Sequence, residues 1–214
     1  MPPPLVVLPA SHPKYEEYEA KFNAGWQHPG KSGNIKAIYY VRKDDLQESY
    51  RGRRFAAAWR AVGGDVEDLF HGTQRSCYIG EDRNNLDPCS SSECHVCGIL
   101  RQSFKLGKAG FGRMFGPGIY TTPMVSKADI YAQNSHVRSR KHVIIVCRVI
   151  TSCPQYLKKS DHGRTSPDRG YNCVKAVTKA NGGAVEYPET IVYQEDYIVP
   201  VAILVYERDG WQPR

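Results

Sequence analysis

The chain has 214 residues, 41% of them hydrophobic and 24% charged, and its 29 Lys+Arg against 22 Asp+Glu give a formal net charge of +7. That length suits one full core and crowds two, the composition is that of a globular chain, and no apolar run approaches the roughly 20 residues of a membrane helix. The positive balance suits a polyanion, whether nucleic acid or the phosphates of a dinucleotide, and equally a plain solvated basic surface.

The opening MPPPLVVLPA lacks the basic start and long apolar core of a signal peptide and reads as an extended, Pro-rich lead-in. Residues 13–27 then place Tyr15, Tyr18, Phe22 and Trp26 at helical spacing behind Pro13, which predicts an amphipathic helix. A turn-rich HPGKSGN precedes a strand at residues 36–41. A second helix is expected from about residue 44 to residue 62, with Phe55, Trp59 and Val62 on one face, Gly63-Gly64 at its end, and Arg51, Arg53 and Arg54 on a solvated face. Residues 66–70 form a short strand that delivers His71 to its end. Further on, KHVIIVCRVI predicts a buried strand, residues 151–170 a polar loop, and residues 184–193 and 197–206 two more strands, the last central in a sheet. Many strands with few helices indicate an α+β domain.

Seven cysteines, an odd number without a secretory signal, argue against a disulfide framework and for a reducing, intracellular setting, nucleus or cytoplasm. Four of them, Cys77, Cys89, Cys94 and Cys97, fall as C-x11-C-x4-C-x2-C in a segment of about 74–97 that is rich in Asn, Asp and Ser and shows no hydrophobic period. Such a segment has no core of its own, and a loop this long needs something to order it. One zinc ion held by the four thiolates would do so, since Cys94-x2-Cys97 has the usual knuckle spacing. His95 is a substitute ligand, and free thiols or a labile disulfide are the competing states. Cys147, inside an apolar run, reads as core.

The stretch from Met114 to Tyr131, MFGPGIYTTPMVSKADIY, carries the strongest site signal. Gly116, Pro117 and Gly118 allow a close backbone approach that side chains would block. Ser126 followed by Asp129 has the spacing of a capping box and predicts the start of a short helix bearing Tyr131. Tyr120 on a strand and Tyr131 on that helix would then face each other across a gap that suits a flat aromatic guest. The competing reading makes both tyrosines ordinary core residues.

Together with other segments this stretch resembles the catalytic domain of the poly(ADP-ribose) polymerase family, whose nicotinamide pocket has the form FGxGIYF…SKSxxY. Phe115-Gly116-Pro117-Gly118-Ile119-Tyr120 and Met124-Val125-Ser126-Lys127 with Tyr131 carry the match. His71-Gly72-Thr73 corresponds to the family's HG[ST], Gly98-Ile99-Leu100 to its GIL, Gly170-Tyr171-Asn172-Cys173-Val174 to its GYDSV, and Glu189-Thr190-Ile191-Val192-Tyr193 to its ExIVY. The segments occur in the family's order over roughly residues 35–206.

The resemblance implies one catalytic domain over residues 1–214 with the split two-sheet ADP-ribosyltransferase fold and flanking helices, the cysteine-rich segment being an insertion. It implies NAD+ as substrate, cleavage of the nicotinamide–ribose bond, and transfer of ADP-ribose to a protein or nucleic-acid acceptor. His71, Tyr120 and Glu189 would be the catalytic set. Gly72 and Thr73 would complete the cofactor-binding segment, with Gly72 clamping the carboxamide through its backbone, Tyr120 and Tyr131 would sandwich the ring, and Lys105 would lie near the adenosine. Only the spacing to Ile191-Val192-Tyr193 selects Glu189 over Glu186 and Glu195. Where the family has a second serine for the carboxamide oxygen this chain has Ala128, so that hydrogen bond, worth about 0.5–1.5 kcal/mol, is missing or comes from Ser126 or water. The tRNA 2′-phosphotransferases share the fold, but basic residues would be expected there in place of Tyr120 and Glu189. The reading from another class is a catalytically silent, zinc-containing binding module for nucleic acid or protein. A monomer that does not touch membranes is expected, and about 70 residues before His71 suggest an enzyme not gated by DNA breaks.

Overall fold

Successive side chains of a strand point to opposite faces, so a strand that is apolar at nearly every position has to be covered on both. Two segments meet that condition, Lys141–Ile150 (β5) and Ile198–Arg208 (β9), and they pair antiparallel with Ile144 opposite Leu204 and Ile145 opposite Ile203. In this computed structural model, which describes residues 4–42, 49–107 and 113–210, they lie at the heart of a five-stranded sheet. Leu5–Val7 (β1), Gly33–Val41 (β2) and Val66–Gly72 (β3) complete it in the order β1-β2-β9-β5-β3. The expectation of a central last strand holds, and the Pro-rich lead-in proves to be an edge strand whose Leu5 is fully buried.

One face of this sheet, with Ile144, Val146, Ala202, Leu204 and Tyr206, is covered by helices. Pro13–Ala24 (α1) contributes Tyr18 and Phe22, Tyr50–Val62 (α2) contributes Phe55, and Val125–Tyr131 (α4) contributes Val125 and Ala128. The first helix stops three residues earlier than its apolar stripe suggests, at the C-cap Gly25, which lies against Val125 where a Cβ would come within 2.7 Å of the backbone nitrogen. In α2 the Ser49 hydroxyl accepts from Gly52 N at 3.0 Å, which fixes the start; the expected earlier turn falls on residues 43–48, outside the described ones. Arg51 and Arg54 do not simply face solvent. They pair with Glu195 and Asp196 and tie α2 to the turn that leads into β9.

The other face, with Val143, Ile145, Cys147, Ile203 and Val205, is covered by the cysteine-rich insertion itself through Ile79, Leu86, Val96 and two of its cysteines. His95–Gln102 (α3) grows directly out of that insertion, with Cys94 at its N-cap position. A second sheet, in the order β4-β8-β7-β6, comprises Ile119–Thr121 (β4), Glu189–Val192 (β8), Cys173–Ala176 (β7) and Pro154–Leu157 (β6), the last two parallel. Of the strand expected over residues 184–193, only these four residues of β8 are in the ladder. The sheets meet where Phe70 and Thr122 exchange both backbone hydrogen bonds, at 2.8 and 3.0 Å. The architecture is α+β with two separate sheets, as the sequence implied.

Candidate active site and metal centre

The junction of the two sheets gathers His71, Gly72, Tyr120 and Glu189, with Tyr131 on the helix that rests on β3. β3 ends on His71 and Gly72, held opposite Ile145 and Ile144 of β5. His71 Nδ1 lies 2.8 Å from the Tyr120 carbonyl, so in the neutral ring Nδ1 carries the proton and Nε2 is left as an acceptor. Burial pushes its pKa below the usual histidine value; the Tyr120 carbonyl opposes that, and the nearby Arg113 and His95 charges add to it. The ring is therefore neutral at physiological pH. Gly72 is required sterically: a Cβ there would lie 1.7 Å from the Ala128 carbonyl oxygen, so only glycine lets α4 rest on the end of β3.

Tyr120 is fixed by the glycine turn that precedes it. Its hydroxyl donates to the Gly116 carbonyl and accepts from Phe115 N, both at 2.9 Å. Gly116 has φ +74° and sits where a Cβ would be 1.8 Å from the Arg164 carbonyl, so the turn closes only with glycine there. The Arg113 guanidinium lies 5.5 Å from the centroid of the Tyr120 ring and donates to Gly118 O at 2.5 Å. Tyr131, the last residue of α4, is 57% exposed. Burial raises the pKa of both tyrosines, that of Tyr120 to about 12, and in both the Glu189 carboxylate adds to the rise. One carboxylate therefore lies within electrostatic reach of both rings.

Glu189 opens β8, opposite Ala176 of β7, and the next residue, Thr190, pairs with Thr121 of β4. Its Oε1 is 2.7 Å from Lys127 Nζ, and the two side chains are 13% and 15% exposed. The two competing glutamates are engaged elsewhere: Glu186 pairs with Lys179 at the surface, while Glu195 pairs with Arg51 and accepts from Leu106 N. Lys105 is exposed on the loop after α3. Thr73 follows β3 directly.

The predicted capping box does not form. The N-cap position of α4 is Met124, with no side-chain cap, and Ser126 lies inside the helix, fully buried. Its hydroxyl accepts from Gln27 N at 3.1 Å and His28 N at 3.3 Å and lies 2.7 Å from His28 Nδ1. The His28 ring in turn stacks on Tyr187, two residues before Glu189, with centroids 3.8 Å apart. Lys127, Arg113 and the His28–Tyr187 stack are neighbours that sequence reasoning passed over. Lys127 stood inside the quoted motif, but a lysine reads as solvated until a distant strand sets a carboxylate against it.

The four cysteines of the insertion converge: the Sγ atoms of Cys77, Cys89, Cys94 and Cys97 all lie within 4.8 Å of one another. Cys77 Sγ is 3.6 Å from Cys94 Sγ and 3.4 Å from Cys97 Sγ. Tetrahedral zinc with bonds of about 2.3 Å spaces its sulfurs by about 3.8 Å, so this donor set could close on that ion with small side-chain shifts. Ser76 N donates to Cys94 Sγ at 3.4 Å, and in this tight cluster the neighbouring thiols lower the Cys94 pKa while those of Cys77 and Cys97 rise, the mutual effect of sulfurs held in contact. His95 is exposed and outside this group.

No curated protein matches the chain. The family model for the poly(ADP-ribose) polymerase catalytic domain does, over residues 14–209. A half-buried neutral histidine at the end of β3, a tyrosine locked by a glycine turn, and a glutamate opening β8 thus stand within the matched span, and the chain belongs to the poly(ADP-ribose) polymerase catalytic domain family.

Proposed function

We propose that this chain is an NAD+-dependent ADP-ribosyltransferase that breaks the nicotinamide–ribose bond and passes ADP-ribose to a macromolecular acceptor. The observation that carries the reading is Glu189, a carboxylate held by Lys127 at 2.7 Å and within electrostatic reach of both Tyr120 and Tyr131. When the glycosidic bond breaks, nicotinamide leaves with the bonding electrons and the ribose becomes oxocarbenium-like. A fixed anion beside the ribose stabilises that cation, and Lys127 holds the carboxylate in one orientation without a solvent shell to reorganise. Tyr120 and Tyr131 stack on the departing ring, the backbone of Gly72 grips its carboxamide, and His71 Nε2 accepts from a ribose hydroxyl of the adenosine, with Thr73 and Lys105 on the same side. The acceptor nucleophile then attacks C1′ and yields its proton to Glu189. Ser126, already engaged by residues 27 and 28, shapes α4 rather than filling the place left by Ala128.

In this reading residues 1–214 act as one catalytic domain and as a monomer, in an intracellular setting consistent with seven free cysteines. Cys77, Cys89, Cys94 and Cys97 would hold one structural zinc ion, whose chemistry is to fix four thiolates in place and so order the insertion. A protein acceptor is favoured, and the net charge of +7 leaves nucleic acid as the second acceptor class. Among the described residues no helix is long and apolar enough to cross a membrane. Purified chain incubated with labelled NAD+, with and without protein and nucleic-acid acceptors, tests the reading. Label transferred or nicotinamide released supports it, and neither over hours sinks it.

A further inference from the structure

α4 cannot hold its own shape. It has seven residues, no side-chain cap at Met124, no basic residue in its last turn, and a C-cap, Ala132, that is not in the left-handed conformation. A helix so short is far below the length at which propensity sustains it, and its last carbonyls need outside donors. Tyr131 ends it with more than half its surface exposed, so packing of the ring does little to fix it. A ring that stacks on a ligand must nevertheless be held in place.

Single local donors reach these carbonyls, Ala132 N to Asp129 at 3.2 Å, Gln133 to Ile130 and Tyr131, and His142 Nδ1 to Ala132 at 3.0 Å, but the charged group that ties several of them together comes from the far end of the chain. Arg208, the last residue of β9, sends Nη2 to the carbonyls of Asp129 at 2.8 Å and Ala132 at 3.0 Å, and Nε to Asp129 Oδ1 at 2.6 Å. These groups bracket Tyr131 in sequence. The Asp129 carboxylate is buried and also accepts from Tyr206 O–H at 2.5 Å, so the fork that Arg208 meets is itself immobile. The planar guanidinium suits this task, since one side chain satisfies two carbonyls and a carboxylate at once.

We propose that Arg208 is a positioning residue for the nicotinamide pocket, acting as the C-terminal cap of α4 and thereby fixing Tyr131 as a stacking wall. The proposal rests on the ADP-ribosyltransferase reading of Tyr131. Lysine at position 208 keeps the charge but cannot span the three acceptors.

The test is a double-mutant cycle on the full chain, with benzamide as a nicotinamide-like probe and binding measured by calorimetry beside thermal unfolding. Arg208→Lys is expected to weaken benzamide on the order of tenfold, as small misplacements of a binding wall do. In a Tyr131→Ala background the same substitution should change affinity by less than about twofold, because the group it positions is gone. Asp129→Asn, which keeps the shape and removes the charge that Nε meets, should repeat the pattern if Arg208→Lys folds poorly. Equal losses in both backgrounds, or no loss in the parent, would overturn the proposal while leaving the enzyme reading intact. A well-folded parent that does not bind benzamide at all would overturn both.

Discussion

Lys127 Nζ and Glu189 Oε1 lie 2.7 Å apart, joining the third residue of α4 to the first residue of β8. Neither element is adjacent to the other in sequence, so the pair exists only once both sheets are assembled. If Glu189 stabilises charge that develops on the ribose, Glu189→Gln keeps the shape and removes an interaction made only in the transition state. Turnover should fall by roughly 10²-fold or more, equivalent to about 3 kcal/mol, with NAD+ affinity changed much less. Glu186→Gln should retain near-normal turnover, because Glu186 is occupied by Lys179 at the surface. Steady-state kinetics on the three proteins decide it; a dead Glu186→Gln beside an active Glu189→Gln would reassign the carboxylate.

Lys127→Met should lower turnover by roughly 10-fold, less than Glu189→Gln, since it removes the group that orients the carboxylate and not the carboxylate itself. Thermal stability should also fall, because the substitution leaves the largely buried Glu189 carboxylate without its partner, so turnover is compared at a temperature where both proteins are folded. A variant with parental turnover would show that Lys127 only balances the charge of Glu189 and does not orient it.

How much of this was legible beforehand follows from what sets each feature. β5 and β9 were readable because burial on both faces makes a strand apolar at nearly every position, and the turn before Tyr120 because a tight backbone approach leaves glycines behind in the sequence; His71 and Gly72 stood out only through the family resemblance. The start of α4 was misread because Ser126 and Asp129 obey capping spacing while their partners, His28 and Arg208, come from distant segments. The insertion was judged to lack hydrophobic period, and it does; Ile79, Leu86 and Val96 nevertheless cover the sheet, since an irregular loop can bury isolated side chains without repeating them. Arg75 shows the same limit. It is a surface-type residue by composition, yet it is buried and bonded to Asn134, Ile79 and Lys141, joining the insertion to the segment after α4.

Tyr131→Ala should weaken benzamide binding by about 1–3 kcal/mol, the loss expected when a stacked ring partner is removed. With 57% of its surface exposed, Tyr131 contributes little to the core, so the melting temperature should hardly move. A large drop in melting temperature with unchanged affinity, corrected for folded fraction, would return it to the role of a core residue.

One zinc per chain is expected in protein purified without chelator, and a ratio near zero by metal analysis removes the assignment. Cys94→Ser should lower thermal stability more than Cys147→Ser. Both are buried, but Cys94 sits among three other thiols and starts α3, whereas Cys147 is a single side chain of β5. Because the insertion covers one face of the main sheet, metal removal should also speed amide exchange in β2 and β9.

Acid should destabilise the fold through His142, which lies beside Arg208 and donates Nδ1–H to the Ala132 carbonyl at 3.0 Å. Burial, then the Arg208 charge, lowers its pKa to about 4 from the ordinary 6.5, against the opposing pull of that carbonyl and Asp129, with Arg75 adding to the fall. The unfolded chain therefore takes up a proton near pH 6.5 that the folded chain refuses until about pH 4. Where the unfolded state binds more protons, stability rises with pH, so this contribution is intact above pH 6.5 and is lost as pH falls towards 4. Between pH 7 and pH 5 the loss from this one group is about 2 kcal/mol. Denaturant unfolding at the two pH values, for the parent and for His142→Gln, isolates it. The variant keeps an N–H donor for Ala132 and should lose about 2 kcal/mol less than the parent on acidification. Equal losses would place the titrating group elsewhere, first at His71, whose pKa burial also lowers.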